Sequence, residues 1–556
     1  MLRPRRGKGF GCPNSNDKKG NSMINFATAF RPMAITAAIL SFTVLTTSFT
    51  PANAQAQSDL RIATSYKLMT LDPHFANLNE NTSLLSNIYE RLVYQDEKLA
   101  LKPGLAVSWS MTSDTRWEFK LRDGVRFHDG SPFTAGDVVY SIERIRDFLQ
   151  SPSGGYRSYV TGIKSVTMSD PLTVTFETDG PVPNFPLLMS SVFVMHKPVE
   201  GFQTTEELNS GNASNGTGPY KFESWSSGET LRLTRNDDYW GGRPAWPTVT
   251  FRVMESPAAR VAALSSGDVD VADSIPARDV KSLKQRGANI ASISAARINF
   301  LQFDVEKEKV SGVTDKSGAP IPNPFRDVRV RQALALATDR SVIAEKILSG
   351  YGTAASQVFP EGLPGTSPNL KAQAPDYDAA RAMLAKAGYP DGFNVVLAGP
   401  AGRYPGDSDS LQAIAQSWAR IGVSVQPQAS PFSVFNTKRA AGEYAAWYGG
   451  TSGESVDVIL QALLASPDKE RGTGALNFGH YRNPSFDALL AKAEAIEEGK
   501  ERNAALAEAT ELAMKDQPII PLYHFHHIVG YGPKVGSYVM HPRGWTTAMQ
   551  TIAVTE

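Results

Sequence analysis

An α/β fold of more than one domain is what this sequence predicts, and three observations carry the prediction. The chain has 556 residues, more than one hydrophobic core ordinarily serves. From Arg61 to Phe303 it reads as short strands and turns with few helices. From Asp327 onward helical periodicity dominates, broken by a strand–helix–strand unit.

The first segment reads as an export signal. Met33 to Phe49 is an apolar run, MAITAAILSFTVLTTSF, behind Arg31, and Ala52-Asn53-Ala54 follows as a small-x-small cleavage pattern. A cut after Ala54 is expected, with the residues before Met23 a mis-called start. A membrane anchor is the competing reading, but the run falls short of the roughly 20 residues a span needs. Residues 1–54 hold seven of the 56 basic residues and one of the 56 acidic ones, which leaves 49 bases against 55 acids, a net charge of about −6. That balance gives no electrostatic footprint for nucleic acid. The only cysteine is Cys12, inside the removed segment. The remainder is expected to have no disulfide, no thiol nucleophile, no Cys-ligated metal and no lipid anchor behind the cleavage site. These features point to an exported, unanchored protein of the periplasm, large enough to fold without staples.

Trp117 to Arg122 alternates apolar and polar residues, which predicts a strand, and Asp123-Gly124 turns it into Val125–Phe127. Beyond the Gly130 turn, Thr134 is an N-cap, Asp137 stands three residues on as its capping-box partner, and Phe133 and Val138 occupy the staple positions. Val138, Val139, Ile142 and Ile145 then share a helical face. His128 and Asp129 sit in the turn before this helix. No nucleophile or metal ligand is near in sequence, so a structural task is expected of them rather than catalysis.

Leu172–Phe176 and Thr230–Thr234 are strand-like. Val330, Ala333, Leu334 and Ala337 share one face of a helix, and Asp378–Ala387 is a helix stopped by Gly388 and Pro390. Asn394–Leu397, a helix over Asp409–Arg420 and Val423–Val425 form the βαβ pattern, and residues 485–515 hold two charged amphipathic helices.

Several pieces, in order, carry a family resemblance: Leu71-Asp72-Pro73, WEFKLRDGVRFHDGSPFTAGDVVYSIERI, Gly216-Thr217-Gly218-Pro219-Tyr220, Arg235-Asn236 with Tyr239-Trp240, PFRDVRVRQALALATDR from Pro324, Tyr481-Arg482-Asn483-Pro484 and Ile520-Pro521-Leu522-Tyr523. The chain resembles the family 5 extracellular solute-binding proteins, the peptide-, oligopeptide- and nickel-binding subunits of ABC importers. The resemblance implies a two-lobe periplasmic-binding-protein fold (type II, with an extra subdomain in lobe I) hinged by two crossovers. These are expected near Ile298–Asp304 and Pro518–Tyr523. Lobe I would be residues 59–300 with a return over 521–556, and lobe II residues 301–520.

The resemblance also implies where a ligand sits. Arg403, with Tyr404, lies in a loop between a strand end and a helix start, where α/β sheets bind ligands. In dipeptide-binding relatives a similar loop carries an arginine that holds the peptide carboxylate by two parallel hydrogen bonds. The loop Ala446–Asp457 supplies Trp447, Tyr448, Gly450, Ser452 and Glu454. It departs from the family pattern in lacking Asp-Pro, so the partner of the ligand amine is either Glu454 or an uncharged Ser452. Asp457 has the competing task of capping the next helix. Ser65 and Tyr66 are placed at the cleft edge, and Tyr220 is expected to be structural. His524 and His526, two apart on one strand face, leave a metal reading open without an evident third ligand.

The expected function is capture of a small molecule, a peptide by resemblance, between closing lobes and its delivery to an inner-membrane ABC permease. The expectation includes a monomer, with no cofactor, no metal and no catalysis. The alternative within the class is a non-peptide ligand, such as an opine-like compound, an oligosaccharide or a nickel or haem chelate. A secreted hydrolase is the remote alternative, for which no G-x-S-x-G or H-E-x-x-H motif is present.

Overall fold

The computed structural model describes residues 59–148, 156–211, 213–468 and 472–554. The expected export segment, residues 1–54, lies outside the described residues.

The main sheet runs, from one edge to the other, through Val313–Thr314, Asn394–Pro400, Ala446–Ser452, Arg297–Phe303, Ile519–Tyr531, Val271–Ala272, Leu60–Thr64, Thr248–Val253, Thr230–Arg235 and Tyr220–Ser226. Its spine is Ile519–Tyr531, a strand of 13 residues. The start of the spine pairs with Arg297–Phe303 and its end with Asn289–Ser294. Those two partners are consecutive in the chain, separated only by Ala295-Ala296. The spine changes partner near Phe525, since Asn299 lies opposite Tyr523 and Ser294 opposite His526. The chain therefore passes between the halves of the sheet at 295–296 and again near 525–526. This is a few residues from Ile298–Asp304 and Pro518–Tyr523, where the sequence placed the passages. Leu301, Phe303, Ile520 and Leu522 are instead wholly buried within a single core.

Separate cores flank that passage. Ile62, Phe119, Phe176, Tyr220 and Phe251 belong to one. Leu301, Leu334, Leu397, Trp418 and Tyr448 belong to another. Ala106–Ser113, Arg116–Leu121, Thr173–Thr178 and Ile163–Asp170 form a second, antiparallel sheet beside the first core. The alternation in Arg116–Leu121 explains its packing. Trp117, Phe119 and Leu121 are buried, Phe119 meets Phe176 edge to face at 5.4 Å, and Lys120 and Glu118 pair outside at 3.0 Å.

The helix Ala135–Glu143 starts as its residues dictate: Asp137 Oδ2 accepts the Thr134 amide at 2.8 Å and the Thr134 hydroxyl at 3.0 Å. Phe133 and Val138 are buried as the staple requires. In Val328–Ala337, Asp327 accepts the Arg329 amide at 2.8 Å, and Val330, Ala333, Leu334 and Ala337 are all 0% exposed. Burying Val330 and Leu334 contributes roughly 1.5–3 kcal/mol each.

The βαβ unit is Asn394–Pro400, Asp407–Ala419 and Ser424–Ser430, with the two strands parallel. Its helix begins two residues before the expected Asp409, after Gly406 at φ 71°. The Asp407 carboxylate ties down the preceding loop.

Candidate ligand-binding site

His128 and Asp129 form a clasp. Nε2 of His128 donates to the Gly218 carbonyl at 2.9 Å, and Nδ1 accepts the Gly216 amide at 3.4 Å. Burial keeps the ring neutral, lowering its pKa to about 4. Asp129 accepts the Ser131 amide at 2.9 Å and hydroxyl at 2.6 Å. The turn thus grips Gly216–Tyr220. Glycine is required in that loop because a Cβ on Gly216 would lie 2.0 Å from the Ile88 carbonyl oxygen. Tyr220 is wholly buried, a structural residue as expected.

Two cavities of about 410 and 280 Å³ lie where the sheet passes from one half to the other, and both have Ser274, His527 and Gly544 in their walls. Ser65, Tyr66 and Glu80 wall the larger one from the first half. Ser452, at the end of Ala446–Ser452, and Glu454, in the loop after it, wall it from the other half, and Arg297 and Arg543 also face it.

Ser65, Tyr66 and Glu454 are each held by a network of their own. The Ser65 amide donates to Asp273 Oδ1 at 2.8 Å. Burial raises the Asp273 carboxyl to about 6, against the opposing pull of Arg260, whose Nε lies 3.7 Å away. Tyr66 shares a hydrogen bond with Ser83 Oγ at 3.1 Å. Glu454 Oε1 accepts the Tyr159 hydroxyl at 3.1 Å and Arg543 Nη2 at 3.3 Å, and the Glu454 carbonyl accepts Gln95 Nε2 at 3.0 Å. Burial, with the Glu454 charge, pushes the Tyr159 hydroxyl up to about 12. The 452–454 loop is thereby pinned across the cavity to residues of the first half.

Other expected site residues stand outside the cavity walls. Arg403 is exposed, with its guanidinium 4.9 Å from the Phe432 ring centre. Its loop is shaped by Asp407, which accepts the amides of Gly402, Arg403 and Tyr404 at 3.1, 2.8 and 3.0 Å. Tyr404 is buried, and its hydroxyl donates to the Gly450 carbonyl at 3.0 Å. Gly450 lets these groups approach: a Cβ there would meet Asn299 Nδ2 at 2.7 Å and the Tyr404 ring at 2.9 Å. Trp447 and Tyr448 are core residues, 2% and 0% exposed. Their strand is paired on both sides, Trp447 packs on Ala398 and Phe435, and the Tyr448 hydroxyl meets that of Tyr523.

Asp457 is not a cap either. Ser455 holds the N-cap position, and Asp457 Oδ2 receives Arg502 Nη2 at 2.7 Å in a buried ion pair. His524 and His526 diverge: His524 Nδ1 lies 2.9 Å from the Arg297 carbonyl and His526 Nε2 lies 2.9 Å from Thr353 Oγ1. Among the described residues no group of three His, Cys, Asp or Glu is arranged to hold a metal.

The sequence reading missed Glu80, Arg297, His527 and Arg543. Arg297 had a signal, a lone charge heading the uncharged strand run Ile298–Phe303. Arg543, in the tail, had none.

Two halves of one sheet joined at 295–296 and 525–526, with a cavity walled from both, define a two-lobed solute-binding protein. The model of the bacterial extracellular solute-binding proteins, family 5 (middle region), matches residues 100–466, and the chain belongs to that family. Heme-binding protein A of Haemophilus influenzae is 27% identical over 499 residues, covering 82% of this chain and 85% of that relative. The dipeptide-binding protein of Escherichia coli is 26% identical over 488 residues, covering 82% of this chain and 87% of that relative. HbpA2 from Haemophilus parasuis shares the fold with a TM-score of 0.77 at 26% identity, covering 90% of this chain and 100% of that chain. Among the described residues no helix is long and apolar enough to cross a membrane.

Proposed function

We propose that this chain is the exported, unanchored receptor of an ABC importer and that its solutes are peptides. The observation that carries the reading is the cavity of about 410 Å³, walled from both halves of the sheet and lined by charges of both signs. A dipeptide-binding protein among the relatives supports the choice of solute. Residues 59–294 with 527–556 would close against 297–524 by rotation at the two passages, and the monomer would then dock on a permease in the inner membrane. The solute leaves chemically unaltered.

Thermal unfolding with a panel of di- and tripeptides tests this. A bound peptide at about 100 times its Kd stabilises the fold by about 2.7 kcal/mol, and the peptide recovered afterwards has its original mass. A panel without any shift, or a cleaved peptide, contradicts the reading.

A non-peptide solute of similar size, such as an opine, an oligosaccharide or a nickel or haem chelate, is the second reading. It is favoured by one observation: Glu454, the expected amine partner, is already paired with Arg543. Mass spectrometry of what co-purifies with the protein separates the two.

A further inference from the structure

The charges in the larger cavity are not all equivalent. Its wall holds two carboxylates, Glu80 and Glu454, and two guanidinium groups, Arg297 and Arg543. Glu454 and Arg543 hold each other at 3.3 Å, and the Tyr159 hydroxyl donates a second hydrogen bond to Glu454. Glu80 and Arg297 make no ion pair and no side-chain hydrogen bond with any described residue. The Arg297 guanidinium lies 5.9 Å from the Phe525 ring centre, and burial lowers its pKa, with the charge of Arg403 adding to the effect and that of Glu80 opposing it. His527, in the same wall, is kept neutral because burial lowers its pKa to about 4, with Arg297 adding to the effect. It therefore supplies no competing cation.

A half-buried charge without a hydrogen-bonded partner carries a desolvation cost that the protein offsets only in part. Here two such charges, of opposite sign, face one cavity. We infer that Glu80 and Arg297 are the anchors of the solute's two ends, Glu80 receiving an ammonium and Arg297 a carboxylate, so that a free zwitterion is the preferred class. The inference rests on the peptide reading and adds which side chains hold the termini. It moves both anchors away from Arg403 and Glu454, the pair that sequence resemblance favours. A guanidinium fork suits a carboxylate because it donates two parallel hydrogen bonds. The adjoining cavity of about 280 Å³, walled by Tyr351, Phe525, Met540 and Trp545 among others, fits an apolar side chain between those ends.

The test is calorimetric titration with alanyl-phenylalanine, its N-acetyl derivative and its C-terminal amide. Wild type, Glu80→Gln and Arg297→Gln are compared, and thermal midpoints confirm that each variant is folded. Wild type is expected to lose about tenfold to hundredfold in affinity when either end is blocked. Glu80→Gln should bind the free peptide more weakly and no longer distinguish it from the acetylated form. Arg297→Gln should be similarly blind to amidation. If wild type binds all three peptides equally, or if the variants keep the wild-type preferences, the inference falls while the peptide reading stands. If wild type binds none of them while another solute co-purifies, the peptide reading falls and takes the inference with it. If a variant does not fold, Glu80→Asp and Arg297→Lys, which keep the charge and change its reach, must show a smaller loss of the same selectivity; equal selectivity in these variants and wild type also overturns the inference.

Discussion

Buried charges in the scaffold and two of the four charges in the cleft are treated in opposite ways. Asp72 and Arg144 are 0% exposed and pair through two hydrogen bonds, of 2.9 and 2.7 Å, with the Thr205 hydroxyl at 2.7 Å completing the carboxylate's shell. Burial pushes the Asp72 carboxyl up, but hydrogen bonds and charge from Arg144 outweigh it and hold the group below its ordinary value. Asp457 and Arg502 form a second buried pair, through one hydrogen bond of 2.7 Å. Glu80 and Arg297, in contrast, face a cavity without partners. Saturated charges specify the fold, whereas unsaturated ones at a concave wall are available to a ligand.

The largest expected effect comes from breaking a saturated pair. Arg144→Met leaves Asp72 buried without a counter-charge, and should cost about 3–5 kcal/mol in guanidinium chloride unfolding. A loss below about 1 kcal/mol would show that the pair is not what fixes this region.

Acid should act next, through His128. Its folded pKa of about 4 lies below the ordinary 6.5, so the unfolded chain takes up the proton first as pH falls. The stability it contributes is fully present above about pH 6.5 and is lost towards pH 4, about 3 kcal/mol in all. His128→Asn should flatten the acid limb of the stability curve by that amount; an unchanged limb would place the loss on other groups.

Arg543→Gln should have a smaller effect on stability, about 1 kcal/mol or less, because the pair with Glu454 is only partly buried. It removes one tie across the cavity, so the radius of gyration of the unliganded protein should rise. An unchanged radius would mean that Gln95 and Tyr159 hold the 452–454 loop unaided.

Arg297→Gln is the smallest change in stability, within about 0.5 kcal/mol of wild type, since no partner is lost and the repulsion from Arg403 is relieved.

The contrast also explains what the sequence could and could not show. The Thr134–Asp137 cap, the Val330–Ala337 face and the alternation of Trp117, Phe119 and Leu121 are local, so spacing alone reveals them. The cavity gathers Ser65, Glu80, Arg297, Ser452 and Arg543 from distant parts of the chain, and no periodicity links them. Trp447 and Tyr448 belong by resemblance to the ligand loop, where aromatic walls suit varied solutes, with buried core as the competing reading; a strand paired on both edges buries them. Arg403 lies in a loop of the expected kind, yet that loop is folded around Asp407 and leaves the guanidinium on Phe432.

The most direct test of the division between scaffold and cleft is to measure, on Arg297→Gln alone, both the unfolding midpoint and the alanyl-phenylalanine isotherm. The account predicts an unchanged midpoint with affinity reduced about tenfold or more. A lowered midpoint with undiminished binding would place Arg297 in the scaffold and contradict it.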